Sequence, residues 1–173
     1  MKAKGGEKAM VEPDNELCEV CEGVFVSSCR PAMDREALDA AGITHVLNAA
    51  DALLPGQDED PRRVVLCLGL KDRPSTDLSR VLPRAVLFVA AARHAGGRVL
   101  VHCYTGRSRA GAVAMAFLMK TRGIPGDEAL AVLRRARPGV LPNSGFLAQL
   151  TGWYQAGMPM GDLEAEFASL ARV

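Results

Sequence analysis

The sequence predicts a single α/β domain built on a central, mainly parallel sheet flanked by helices. Short apolar runs of strand composition recur at 24–28, 44–50, 63–70 and 98–102, and stretches of helical character separate and follow them. Parallel strands need crossover connections, and near-continuous apolar strands need cover on both faces. The 173 residues, 49% of them apolar, supply one well-buried core.

The elements follow in chain order. Residues 1–16, rich in Lys, Gly and Glu at their start, read as a disordered lead, with order expected from Leu17. VFVSS (24–28) has strand composition. MDREALDAAG (33–42) reads as a helix, with Asp34 as N-cap and Gly42 as its stop. THVLNAA (44–50) is a strand running into a loop, and DALLPGQDEDPR (51–62) has the acids, glycine and prolines of a connection. RVVLCLGL (63–70) suits a buried strand, and KDRPSTD (71–77) is a polar loop. Residues 78–95 suit a helix, with Pro83 tolerable only near its first turn and Gly96 and Gly97 ending it. RVLVH (98–102) is another buried strand. Three helices are expected after it, over 109–121, 126–137 and 143–157. The folded unit is thus expected over 17–157. The tail, 158–173, is read as a short amphipathic helix or a frayed end, and no internal repeat is visible.

Charge and composition exclude some functions. A net charge of +1 gives no bulk attraction to nucleic acid or acidic membrane, and the longest apolar runs are far too short to span a bilayer. MKAKGGEKAM lacks the apolar core of a secretory signal, so a cytoplasmic location is the default expectation, with the nucleus also open. Five cysteines, an odd number, fit reduced thiols better than a disulfide framework. Cys18 and Cys21 form a CxxC, but no second CxxC or histidine pair completes four zinc ligands, so neither a metal nor a cofactor is expected. Cys18, Cys21, Cys29 and Cys67 read as small apolar side chains in or near strands. The basic run LRRAR (133–137) reads as a solvated helix face.

One stretch demands chemistry. HCYTGRSRA (102–110) joins a predicted strand to a predicted helix, the place where parallel sheets gather ligands and where a helix N-terminus offers unpaired N–H groups with a positive dipole. Gly106 permits the backbone of a tight anion cradle, and Arg109 supplies a planar fork for two phosphate oxygens. Positive charge at a helix start is unfavourable unless an anion compensates it. The same groups favour the thiolate of Cys103, and a thiolate beside a bound phosphate is a nucleophile aimed at phosphorus.

HCYTGRSR also resembles the H-C-x-x-G-x-x-R signature of the cysteine-dependent protein tyrosine and dual-specificity phosphatases. RPGVLPNSGFLAQL (137–150), EGVFVSS and GITHVLNAA resemble the dual-specificity branch, so the likeness spans roughly residues 17–156, as in its small atypical members. The resemblance implies a protein-tyrosine-phosphatase-like fold and hydrolysis of phosphomonoesters in phosphorylated proteins through a cysteinyl-phosphate. It assigns Cys103 as nucleophile and Arg109 as phosphate ligand, with Tyr104, Thr105, Gly106, Arg107 and Ser108 completing the phosphate loop. Tyr104 and Arg107 occupy its variable positions, and Ser108 could serve only local N–H groups. Asp72, 31 residues before Cys103, matches the general acid; Asp77 is a rival better explained as a cap. His102 and Asn143 are supporting residues, the latter with an almost equal claim as N-cap of the last helix. One departure stands out: where the family usually has Ser or Thr after the arginine, this chain has Ala110, so the second chemical step is expected to be impaired. Two other readings stay open: a non-protein substrate such as a phosphoinositide, a nucleic-acid 5′ phosphate or a phosphoglycan, and a weakly active phosphoprotein-binding module.

Overall fold

The computed structural model describes residues 11–52 and 60–170. Five strands, β1 (Leu17–Cys21), β2 (Val24–Ser27), β3 (His45–Ala50), β4 (Val64–Leu70) and β5 (Val99–His102), form one sheet in the order β1-β2-β5-β3-β4. Only the β1–β2 pair is antiparallel; β2, β5, β3 and β4 run parallel. The predicted architecture is the one that forms.

Period-two alternation splits the sheet's side chains between two cores. Val24, Val26, Leu47, Val99 and Val101 point to the larger core, and Phe25, Val46 and Leu100 to the smaller one. The smaller face is covered by α1 (Cys29–Met33) and α2 (Arg35–Ala40), through Ala32 and Leu38. The larger face is covered by α3 (Leu82–His94), α4 (Arg109–Arg122), α5 (Gly126–Ala136) and α6 (Ser144–Gln155). α4 is buried along nearly its whole length, so it lies inside the helical layer rather than on its surface.

Local signals act as expected. The Asp34 carboxylate accepts from the Ala37 N–H and caps α2, Gly42 follows that helix at φ 65°, and Pro83 sits in the first turn of α3. Three elements differ from expectation. β4 is an edge strand, with no strand paired beyond it among the described residues; Val64, Cys67 and Gly69 are exposed, so the run is not buried throughout. β1 and the five-residue α1 form where no distinct element was predicted. The tail takes the helical one of its two expected forms: a 3-10 turn (Gly161–Leu163) packs Leu163, and the helix that follows it, α7 (Glu164–Leu170), packs Phe167 and Leu170, on the larger core. Lys120 secures it, donating to the Met158 carbonyl and pairing with Glu164.

Residues 1–10 of the expected lead lie outside the described residues, and from Asp14 onward the segment is tied to the fold through Ser28 and Arg137. Among the described residues no helix is long and apolar enough to cross a membrane, and no three His, Cys, Asp or Glu side chains stand together as a metal ion would require.

Candidate active site

β5 ends at His102, the chain turns through residues 103–108, and α4 begins at Arg109. The loop is shaped by where its carbonyls go. Tyr104 O accepts from the Cys29 N–H at 3.0 Å, Thr105 O from Arg137 Nη2 at 3.0 Å, and Gly106 O from Arg137 Nε at 3.0 Å. Arg107 O accepts from the Leu141 N–H at 3.1 Å and Ser108 O from the Ala112 N–H at 2.8 Å. A loop whose successive carbonyls face outward turns its N–H groups toward its concave side, the arrangement of an anion-binding nest at a helix N-terminus. Gly106 has φ 67°, and a Cβ there would overlap the Ser27 carbonyl at the end of β2, so glycine is required by both torsion and space.

Cys103 lies at the base of a cavity of about 150 Å³, also lined by Cys29, Asn48, Asp51, His102, Tyr104 and Arg109. Cys103 is 1% exposed and Tyr104 47%, so the cavity runs from a buried thiol to an open aromatic rim. His102 is fully buried; burial pushes its imidazole down to about 4, against the opposing effect of a hydrogen bond with the Cys103 backbone. It is a neutral imidazole at the end of β5, beside the cysteine.

Arg109 is nearly buried, and its Nη1 donates to Asp51 Oδ1 at 2.8 Å and to Leu70 O at 3.0 Å. Its buried Nε has no hydrogen-bond partner among the described residues, which leaves the Nε edge of the fork for an oxyanion. Asp51 keeps its charge: a hydrogen bond with its own backbone and the Arg109 contact hold its carboxyl below the usual range, against partial burial. In the sequence Asp51 reads only as the first residue of a connection. The available signal was its position immediately after the carboxyl end of β3, where ligand sites of parallel sheets gather.

Asp72 stands outside that cavity's wall, in the loop after β4, and is joined to the 103–108 loop by side chains. Its Oδ1 accepts from Ser108 Oγ at 2.6 Å and from Asn143 Nδ2 at 2.9 Å. Ser108 Oγ accepts in turn from the Asn143 N–H at 3.0 Å, so the serine bridges two segments and makes no cap bond to α4. Its role is not confined to local N–H groups. Asn143 is the N-cap of α6, its Oδ1 accepting from the Phe146 N–H, and its amide donates to Asp72. The loop also docks on α6, with Gln149 bonded to Leu78 N and Thr76 O and Gly145 so close to Pro74 that a Cβ would overlap its carbonyl. Asp77, by contrast, accepts from the Ser79 N–H in a local turn. Ala110 is fully buried in the first turn of α4.

The solvated reading of LRRAR fails at its last residue. Arg134 and Arg135 are exposed, but Arg137 is 3% exposed, because its guanidinium meets the outward carbonyls of the loop. Arg107 is half-buried, its Nε donating to Gly139 O.

A family model described as "Dual specificity phosphatase, catalytic domain" matches residues 24–156. The chain belongs to this family. It is 34% identical over 147 residues to dual specificity protein phosphatase 1B of Arabidopsis thaliana, covering 85% of this chain and 87% of that one. It is 34% identical over 165 residues to human dual specificity phosphatase 28, covering 95% and 93%. The crystal structure of the latter superposes with a TM-score of 0.79 at 33% identity, over 86% of this chain and all of that one. Membership makes the protein a phosphatase of the protein-tyrosine-phosphatase-like fold.

Proposed function

We propose that this chain hydrolyses phosphotyrosine and phosphoserine or phosphothreonine in proteins through a phosphoenzyme on Cys103. The observation that carries the reading is the loop itself: outward carbonyls from Tyr104 to Ser108 around a buried cysteine, with the open edge of Arg109 beside it. In the first step the Cys103 thiolate attacks phosphorus and the ester P–O bond breaks, while Asp72 gives its proton to the departing oxygen. The nest and Arg109 hold the three phosphoryl oxygens as charge spreads over them. In the second step the Asp72 carboxylate takes a proton from water, the water attacks phosphorus, and the P–S bond breaks to release phosphate and the thiolate. Ser108 and Asn143 fix Oδ1 of Asp72, which leaves Oδ2 to carry the transferred proton. Protein substrates fit the family, and a cytoplasmic location remains our reading of the composition.

The test is turnover of phosphotyrosine and phosphothreonine peptides with a chelator present. Cys103→Ser should abolish turnover yet keep binding tungstate, since the cradle is backbone and Arg109. Retained activity in that variant would refute the covalent route. Turnover of a phosphoinositide but of no phosphopeptide would refute the substrate class.

A further inference from the structure

The phosphate loop depends on a residue outside its motif. If its N–H groups are to face an anion, its carbonyls must face the protein, and buried carbonyls need donors. Cys29, Leu141 and Ala112 satisfy three of them from backbone N–H groups. The two at the crown of the loop, Thr105 O and Gly106 O, are served by one side chain, Arg137, through Nη2 and Nε. Only a planar guanidinium presents two fixed donors to adjacent carbonyls in this way.

Arg137 is itself held from behind. Asp14 accepts from its Nη2 at 2.7 Å, Glu16 lies 3.9 Å from its Nη1, and Cys18 Sγ is 3.6 Å from Nη1. Burial works against its charge, and the hydrogen bonds to Asp14 and Cys18 outweigh it, so Arg137 stays cationic. The Asp14 carboxylate offsets that charge locally, which makes the guanidinium's contribution one of geometry more than of field. Asp14 is anchored in turn, its carbonyl accepting from Ser28 Oγ at the start of α1.

We infer that Arg137 is a positioning residue for phosphate binding, holding the crown of the 103–109 loop in its anion-ready form, and that Asp14 couples the segment before β1 to the active site through it. This rests on reading that loop as the phosphate site. The loss of turnover in Cys103→Ser tests that reading separately, because it does not involve Arg137.

The experiment compares wild type with Arg137→Met, Arg137→Lys, Asp14→Asn and, as an exposed control on the same helix end, Arg135→Met. Tungstate inhibition, kcat/KM for a phosphopeptide and for an activated aryl phosphate, and Tm are measured for each. Arg137→Met should weaken tungstate inhibition and kcat/KM together by about 10- to 100-fold, equally for both substrates, because the cradle is lost and not the acid. Arg137→Lys, with a single ammonium, should recover part of this, and Asp14→Asn should lose about 2- to 5-fold in both readouts. Arg135→Met should match wild type. An Arg137→Met protein that loses Tm but keeps wild-type tungstate affinity and kcat/KM would make the arginine a brace of the fold alone and overturn the inference. If that variant does not fold, the other two decide: wild-type tungstate affinity in both Arg137→Lys and Asp14→Asn also overturns it.

Discussion

The Asn143 side chain carries two hydrogen bonds of different purpose, and a single substitution separates them. Its Oδ1 caps α6 at Phe146, and its Nδ2 donates to Asp72 at 2.9 Å. Serine is as good an N-cap but too short to reach Asp72, so Asn143→Ser should keep the cap and release the acid. Asn143→Ala should lose both, with a further stability cost of about 1 kcal/mol from the missing cap. The released carboxylate keeps its shorter bond from Ser108, at 2.6 Å, so the loss is partial. A hydrogen bond to a charged group contributes about 1.5–3 kcal/mol; at this exposed acid, with one donor left, about 3- to 10-fold in kcat/KM is expected. The assay compares kcat/KM, which covers only the steps through phosphoenzyme formation, for a phosphoserine peptide, whose leaving oxygen needs a proton, with kcat/KM for an activated aryl phosphate, which needs one far less. Both variants should lose kcat/KM on the peptide and keep it on the aryl phosphate, and neither should add to the loss in an Asp72→Asn background. Equal losses of kcat/KM on both substrates, or full additivity with Asp72→Asn, would refute the claim that Asn143 acts through Asp72.

Burial of His102 sets a pH dependence of stability. With the folded-state imidazole pushed down to about 4 and the unfolded one near its ordinary 6.5, the unfolded chain binds more protons between those values. Stability should therefore fall as pH is lowered from about 6.5 to about 4, by up to about 3 kcal/mol from this residue, and denaturant midpoints of His102→Asn should show a shallower slope across that window. Ala110 bears on the second step. Ser108 Oγ is bonded to Asp72, so it is engaged away from the departing thiolate, and wild type should show a burst of product followed by a slower steady rate. Ala110→Ser should raise the steady rate by roughly 10-fold or more if its hydroxyl reaches the sulfur; no burst in wild type and no gain in the variant would exclude the deficit.

The core of the site was legible because its chemistry is local. Cys103, Gly106 and Arg109 lie within seven consecutive residues, and strand and helix propensities on either side fix the loop at a strand end and a helix start. Asp72 was found through the resemblance and its loop setting. Asp51, Arg137 and Asp14 were not found, because each meets the site only when separate segments converge: the end of β3, the turn after α5 and the stretch before β1. Composition cannot show that a basic run ends in a buried guanidinium, because burial depends on what packs against it. The same limit explains β4, whose apolar run reads as a central strand although its place in the sheet order exposes one edge. β1 was obscured by Glu19 within LCEVC and by partial exposure along its length, so neither alternation nor a continuous apolar run marks it.

The central claim is a phosphoryl group carried on Cys103, and rapid quenching tests it most directly. Wild-type protein mixed with excess aryl phosphate, stopped in acid within the first turnovers and digested, should yield the peptide containing Cys103 heavier by one phosphoryl group. The cysteine should be the modified residue, and the adduct should disappear as substrate is exhausted. Continued turnover with no such adduct at any quench time, or an adduct on another residue, would contradict the account.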